Sequence, residues 1–144
     1  MENRFTPPPD EPHRPRVQGI IAGQPITVKN SDQTLHNVHT YKGASTIFNQ
    51  AEIPGMAPMV KQLDASGQIV KFKCDVHPWM FAWVSVFDHP YFAVSGKDGS
   101  FKIANVPAGK YTIQAAHRKA GTVTQEIEVK EGAPTKVDLT LEAK

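Results

Sequence analysis

The stretch Lys73-Cys74-Asp75-Val76-His77-Pro78-Trp79-Met80 decides how the rest of the chain is read. It holds the only cysteine of the 144 residues and sets a thiol, an imidazole and a thioether three residues apart, at Cys74, His77 and Met80. Soft sulfur beside imidazole is a copper donor set. Two imidazoles, a thiolate and a distant methionine make the trigonal site that carries single electrons. The tight loop supplies three of those four donors, so a second histidine has to come from another strand.

Upstream of the loop, Val70, Phe72 and Cys74 alternate with Lys71 and Lys73, which predicts a strand over 68–74 with Cys74 pointing inward at its end. Downstream, Ala82, Val84 and Val86 alternate with Trp83 and Phe87. Apolar groups on both faces predict burial on both sides. Strand 82–87 then reads as a seam between the loop-bearing part and the tail of the chain. Farther upstream, His36 and His39 compete for the second imidazole, in a strand predicted over 36–42. Three residues apart in an extended chain, they face opposite sides. His36 comes after the turn Asn30-Ser31-Asp32-Gln33 and stands at the strand's mouth, which favours it; His39 is the alternative.

The remaining chain is punctuated by ten glycines and twelve prolines, and no segment of helical length shows a 3.6-residue period. Short strands with frequent turns predict an all-β sandwich. Residues 1–14, with Pro7-Pro8-Pro9, read as a disordered or extended arm. Further strands are expected over 15–21 and 25–29, and a possible one over 59–63 within an otherwise irregular stretch 43–67. In the tail they are expected over 91–95, 100–104, 110–117, 121–130 and 135–142. The chain then divides into the arm, a loop-bearing domain over 15–90, and a β extension over 91–144 packed on the first.

Bulk properties exclude several function classes. Net charge is +2, and residues 23–93 set five lysines against five acids, so no basic face suggests nucleic acid. No apolar run is long enough to span a membrane. A lone cysteine forms no internal disulfide, and a bound metal would protect its thiol. Met1-Glu2-Asn3-Arg4-Phe5 is no signal peptide, which leaves a cytosolic protein or a mature exported form with a new start. Among the other candidates, His117 reads as a hydrogen-bonded core residue, His89 as a turn residue, and Met56 and Met59 as packing. Pro78 and Trp79 read as an exposed apolar patch of the kind that marks contact sites.

Leu35-His36-Asn37-Val38-His39 followed by the Cys74–Met80 loop resembles the cupredoxins, over roughly residues 15–90. The loop spacing is closest to amicyanin, and His-Asn-Val also occurs at the upstream ligand of plastocyanin. The resemblance implies a Greek-key β-sandwich and one copper ion, cycling between Cu(I) and Cu(II), on His36, Cys74, His77 and Met80. It implies that Asn37 ties the upstream strand to the ligand loop near Asp75. Cupredoxins end about one strand after the methionine, and this chain runs on. Its tail, with Asp98-Gly99-Ser100-Phe101-Lys102-Ile103 and Val106-Pro107-Ala108-Gly109-Lys110-Tyr111, resembles the latter part of a carboxypeptidase regulatory-like or transthyretin-like β-sandwich. Chains similar to this combination imply a periplasmic or otherwise exported location.

The expected function is single-electron transfer, without enzymatic activity, to a redox protein such as a cytochrome or a copper enzyme. His77 would be the electron port, and Pro78 and Trp79 the docking surface. Copper storage, sensing or delivery is the alternative. A structural β-sandwich module with incidental metal binding is the third reading.

Overall fold

The computed structural model describes residues 16–64 and 67–143; the arm over 1–14 lies outside them. The described residues are all-β. Strands β1 (Val17–Ile21), β2 (Ile26–Val28), β3 (His36–Lys42), β4 (Ser45–Glu52), β5 (Met59–Lys61), β6 (Gln68–Lys73), β7 (Phe81–Phe87), β8 (Gly109–His117) and β9 (Gly121–Val129) succeed one another with no helix between. Among the described residues, no helix is long and apolar enough to cross a membrane. Two compact units divide at Lys102/Ile103.

In the first unit, five strands form an open sheet in the order β1-β7-β6-β3-β4, and β2 and β5 form a two-stranded sheet. β1 runs parallel to β7, and the other pairs are antiparallel. Ile26, Val28 and Met59 of the small sheet share one buried cluster with Ile20, Val38, Val70, Phe72, Val84 and Val86 of the large one. The two sheets therefore form a sandwich around a single core, held by alternation along each strand.

Two features depart from the sequence reading. β4 forms within the stretch read as irregular. Its sequence Ser45-Thr46-Ile47-Phe48-Asn49-Gln50-Ala51-Glu52 is polar and mostly exposed, and its register with β3 shifts between Thr40 and Tyr41. The buried Thr40 hydroxyl repairs that bulge, accepting from the Phe48 amide at 3.0 Å and donating to the Phe48 carbonyl at 3.1 Å. β7 lies inside the first unit's sheet, between β1 and β6. Ala82, Val84 and Val86 enter the core, and the opposite face is only half-buried. Residues of the same unit cover that face: Arg16 and Lys71 lie over the Phe81 ring, and Phe92 stacks on Phe87 with centroids 4.4 Å apart. Gly19 makes room for this, because a Cβ there would run into the Phe92 ring.

In the second unit, β8 and β9 form a hairpin in which Tyr111 pairs with Ile127 and Ala115 with Val123. The Tyr111 hydroxyl donates back to the Pro107 carbonyl at 2.8 Å, which fixes the entry to β8. Residues 91–95, 100–104 and 135–142 do not form strands. Val137, Leu139 and Leu141 are still half-buried while Lys136 and Asp138 are exposed. Alternation reports which side is covered and does not require ladder bonds. His117 is exposed rather than in a core; its Nδ1 accepts from the Lys119 and Ala120 amides at 3.2 and 3.3 Å and closes the hairpin turn.

Candidate metal centre

The site lies where β3 begins and β6 ends. The alternation of β3 sends His36, Val38 and Thr40 inward. β6 ends at Lys73, so Cys74 continues the inward face of Val70 and Phe72. The chain then turns back at once: the Cys74 amide donates to the Met80 carbonyl at 3.0 Å, and the Met80 amide donates to the His77 carbonyl at 2.8 Å. These two bonds close the loop and bring His77 over the sulfur.

Cys74 Sγ lies 3.7 Å from His36 Nδ1 and 3.6 Å from His77 Nδ1. The three donor atoms lie within 4.8 Å of one another, and the two rings are tilted by 51° with centroids 4.7 Å apart. His36 and Cys74 are each 4% exposed, and His77 is half-buried. A metal about 2.3 Å from sulfur and about 2.0–2.1 Å from nitrogen, in a trigonal plane, separates sulfur and nitrogen by about 3.7 Å. The sulfur–nitrogen spacings already meet that requirement. Two imidazoles and a thiolate are the donor set of a copper site, and the cluster fits one. Met80 is half-buried at the loop's end, its backbone carrying both closing bonds.

Around this cluster the loop is latched to β3. The Asn37 side chain accepts from the Asp75 amide at 2.6 Å and donates to Asp75 Oδ2 at 2.8 Å and Asn49 Oδ1 at 2.9 Å. The Asn37 backbone amide points at Cys74 Sγ from 3.5 Å. His39 lies on the opposite face of β3, away from the sulfur. Its Nδ1 is 2.8 Å from Asp75 Oδ2 and 2.7 Å from the Tyr41 hydroxyl, and its Nε2 is 2.8 Å from Thr46 Oγ1. A carboxylate oxygen only accepts, so Nδ1 carries the proton and the Asp75 carboxylate receives it. Hydrogen bonding from His39 first, then from Asn37 and Lys73, lowers the Asp75 pKa from 3.8 to about 2. That carboxylate therefore stays charged in mild acid, and the stability it contributes is lost only as pH falls from about 4 towards 2.

Sequence reasoning missed two carboxylates beside His36. Asp32 Oδ2 lies 2.7 Å from His36 Nε2. The turn that holds Asp32 was legible, and its spacing of four residues from His36 was the available signal. Glu52 pairs with His36 across β3 and β4 and is 1% exposed. Among the described residues, neither of its carboxyl oxygens has a hydrogen-bond partner. Burial raises its pKa from 4.5. The folded protein then keeps this proton to higher pH than the unfolded chain does, so stability falls as pH rises above about 4.5. Glu52→Leu is expected to be about 1–2 kcal/mol more stable at neutral pH, the cost of an unsatisfied buried group, and to lose that pH slope. Urea denaturation at pH 4 and pH 7 measures both; equal stability of the two proteins at pH 7 would show that the carboxyl finds a partner in solution.

Residues 66–142 match the family model described as a carboxypeptidase regulatory-like domain, which is more than half of the chain. The chain belongs to that family. The carboxypeptidase regulatory-like stretch begins ahead of β6, so it takes in the ligand loop and β7 as well as the tail that carries the Pro107-Ala108-Gly109 turn. No curated protein matches the chain. Among solved structures it is similar to a purple cupredoxin from Nitrosopumilus maritimus, at 23% identity with a TM-score of 0.46, covering 57% of this chain and 88% of that one. It is also similar to a reduced amicyanin mutant, at 19% identity with a TM-score of 0.44, covering 51% of this chain and 71% of that one. An oxidized amicyanin mutant is similar over the same shares of both chains, at 18% identity and a TM-score of 0.43.

Proposed function

We propose that this chain is a mononuclear type 1 copper protein that passes single electrons between redox partners and is not itself an enzyme. The observation that supports this most directly is the approach of His36 Nδ1 and His77 Nδ1 to within 3.7 Å of Cys74 Sγ. His36, Cys74, His77 and Met80 would hold the ion, leaving no position open for a substrate. Copper held there would supply a one-electron couple.

The chain's own contribution is to keep the donors in place through the change of charge. Asn37 and Asp75 tie the loop to β3, and the closing bonds between Cys74, His77 and Met80 hold its span. Such outer bonds fix ligand orientation. The Asn37 amide near the sulfur offers a dipole that stabilises a thiolate. Burial of His36 and Cys74 excludes water, whereas half-buried His77 gives the electron an exit. Around that exit, Pro78 is exposed, Val76 is 53% exposed and Trp79 is 65% exposed, with the Trp79 ring 5.3 Å from the His77 ring. An apolar patch of this kind suits brief docking of a redox protein such as a cytochrome or a copper enzyme. The resemblance of the ligand motifs to cupredoxins is what supports a periplasmic or otherwise exported location.

Adding Cu(II) to the purified protein tests the reading. An intense thiolate-to-copper charge-transfer band, with a narrow copper hyperfine splitting in the EPR spectrum, is the expected result. A colourless protein that binds only Cu(I) would point to storage or delivery. Absence of binding to either ion would leave a structural module.

A further inference from the structure

We propose that Asp32 is a positioning residue for His36, fixing the ring with Nδ1 towards Cys74 and placing a negative charge at its far edge. This rests on the copper reading for its effect on potential, but not for its effect on the ring.

The two nitrogens of His36 face different groups. Nδ1 is 3.7 Å from Cys74 Sγ, and Nε2 is 2.7 Å from Asp32 Oδ2. A carboxylate oxygen accepts and cannot donate, so the proton of the neutral ring sits on Nε2. Nδ1 is then bare and aimed at the site, the form in which imidazole binds a metal. Among the described residues, no carboxylate is hydrogen-bonded to the other ring of the cluster, His77. The two imidazoles therefore differ in donor strength, since a carboxylate on the far nitrogen makes the near one more basic.

Asp32 is held in place independently of its own carboxylate. Its backbone amide donates to Asn30 Oδ1 at 2.9 Å. Asn30 is 7% exposed, and its side-chain amide donates to the Thr34 carbonyl at 2.9 Å and the Glu52 carbonyl at 2.7 Å. Glu52 is the cross-strand partner of His36, so the loop that presents Asp32 is pinned to the strand beside the histidine it serves. Substitutions at Asp32 therefore alter the contact to His36 while the bonds that hold this loop, made by the Asp32 backbone amide and by Asn30, remain available.

Negative charge on the ligand stabilises Cu(II) more than Cu(I), so Asp32 lowers the reduction potential. Three variants separate charge from contact. Asp32→Asn keeps an oxygen acceptor and removes the charge; Asp32→Ala removes both; Asp32→Glu restores the charge on a longer arm. In the metal-free protein, at a pH where the ring is neutral, the ring nitrogen NMR shifts of His36 should report Nε2–H in the wild type and a mixture of tautomers in Asp32→Ala. In the copper-loaded protein, Asp32→Asn should raise the potential by about 59 mV, a tenfold shift in relative Cu(II)/Cu(I) affinity. Asp32→Ala should weaken Cu(II) binding about 10–100-fold, and Asp32→Glu should recover part of both losses. A proton on Nδ1 in the metal-free wild type, or an unchanged potential in Asp32→Asn, overturns the proposal. Expected tautomers in a protein that binds no copper would instead refute the copper reading and leave Asp32 as the residue that orients His36.

Discussion

Copper binding is expected to be lost in His36→Ala and kept in His39→Ala. The two histidines lie three residues apart on β3, and the pleat sends them to opposite faces. His36 is 4% exposed, with Nδ1 3.7 Å from the Cys74 sulfur. His39 stacks on Tyr41 with centroids 4.0 Å apart and spends both nitrogens on Asp75, Tyr41 and Thr46. Removing His36 leaves the thiolate with one imidazole, so the loss should exceed the roughly 10–100-fold that an outer partner is worth. The charge-transfer band should vanish at copper concentrations that saturate the wild type. Truncating His39 leaves the donor triangle untouched and removes one donor to Asp75; a small spectral shift is the expected result. Thermal unfolding of the metal-free proteins checks that His36→Ala still folds. A saturated band in His36→Ala, or its disappearance in a folded His39→Ala, would mean that the sulfur's partner is not the one facing it.

The residues in that comparison also explain which features the sequence disclosed. The loop is local: Cys74, His77 and Met80 lie within seven residues, and a tight turn is enough to gather Cys74 and His77. The side facing the core was set by period two, which is why β6 and the core-facing Ala82, Val84 and Val86 of β7 could be read directly; on β3 it showed only that His36 and His39 face opposite sides, and the choice of His36 rested on its place after the turn. β4 could not, because its pairing replaces hydrophobic alternation as the signal. It is a polar strand with a bulge, held to β3 by ladder bonds and by the Thr40 hydroxyl. Missing β4 hid Glu52, whose burial depends on lying beside His36 in that register. Asp32 was hidden differently. An Asx turn is legible from Asn30 and Asp32, but the direction of the free carboxylate depends on where β3 begins, which is a tertiary fact. In the tail, alternating residues marked the covered side correctly over 135–142 while forming no ladder. Backbone pairing needs a neighbouring strand, and no pattern within one segment supplies it.

Asn37→Ala should destabilise the first unit by about 2 kcal/mol and weaken copper binding about 10–100-fold. The side chain makes three hydrogen bonds, accepting from the Asp75 amide and donating to Asp75 Oδ2 and Asn49 Oδ1. The two to Asp75 connect the start of β3, which carries His36, to the residue after Cys74, and the third ties Asn37 to β4. Without them the two donors are joined through the Asn37 backbone amide at 3.5 Å from the sulfur and through β-sheet pairing that begins only at His39 and Lys73. Because that amide belongs to the main chain, alanine preserves it. The side chain's role as a latch is thereby separated from the amide's effect on the thiolate: a weaker but recognisable charge-transfer band is expected, not a different one. Asp75→Ala removes the partner carboxylate but leaves the Asp75 amide bonded to Asn37. A double-mutant cycle on urea stability should then give a coupling of about 0.5–1.5 kcal/mol for the carboxylate–amide contact alone. Strict additivity would place the latch in the backbone bond, and unchanged stability and affinity in Asn37→Ala would show that β3 and the ligand loop hold their spacing without it.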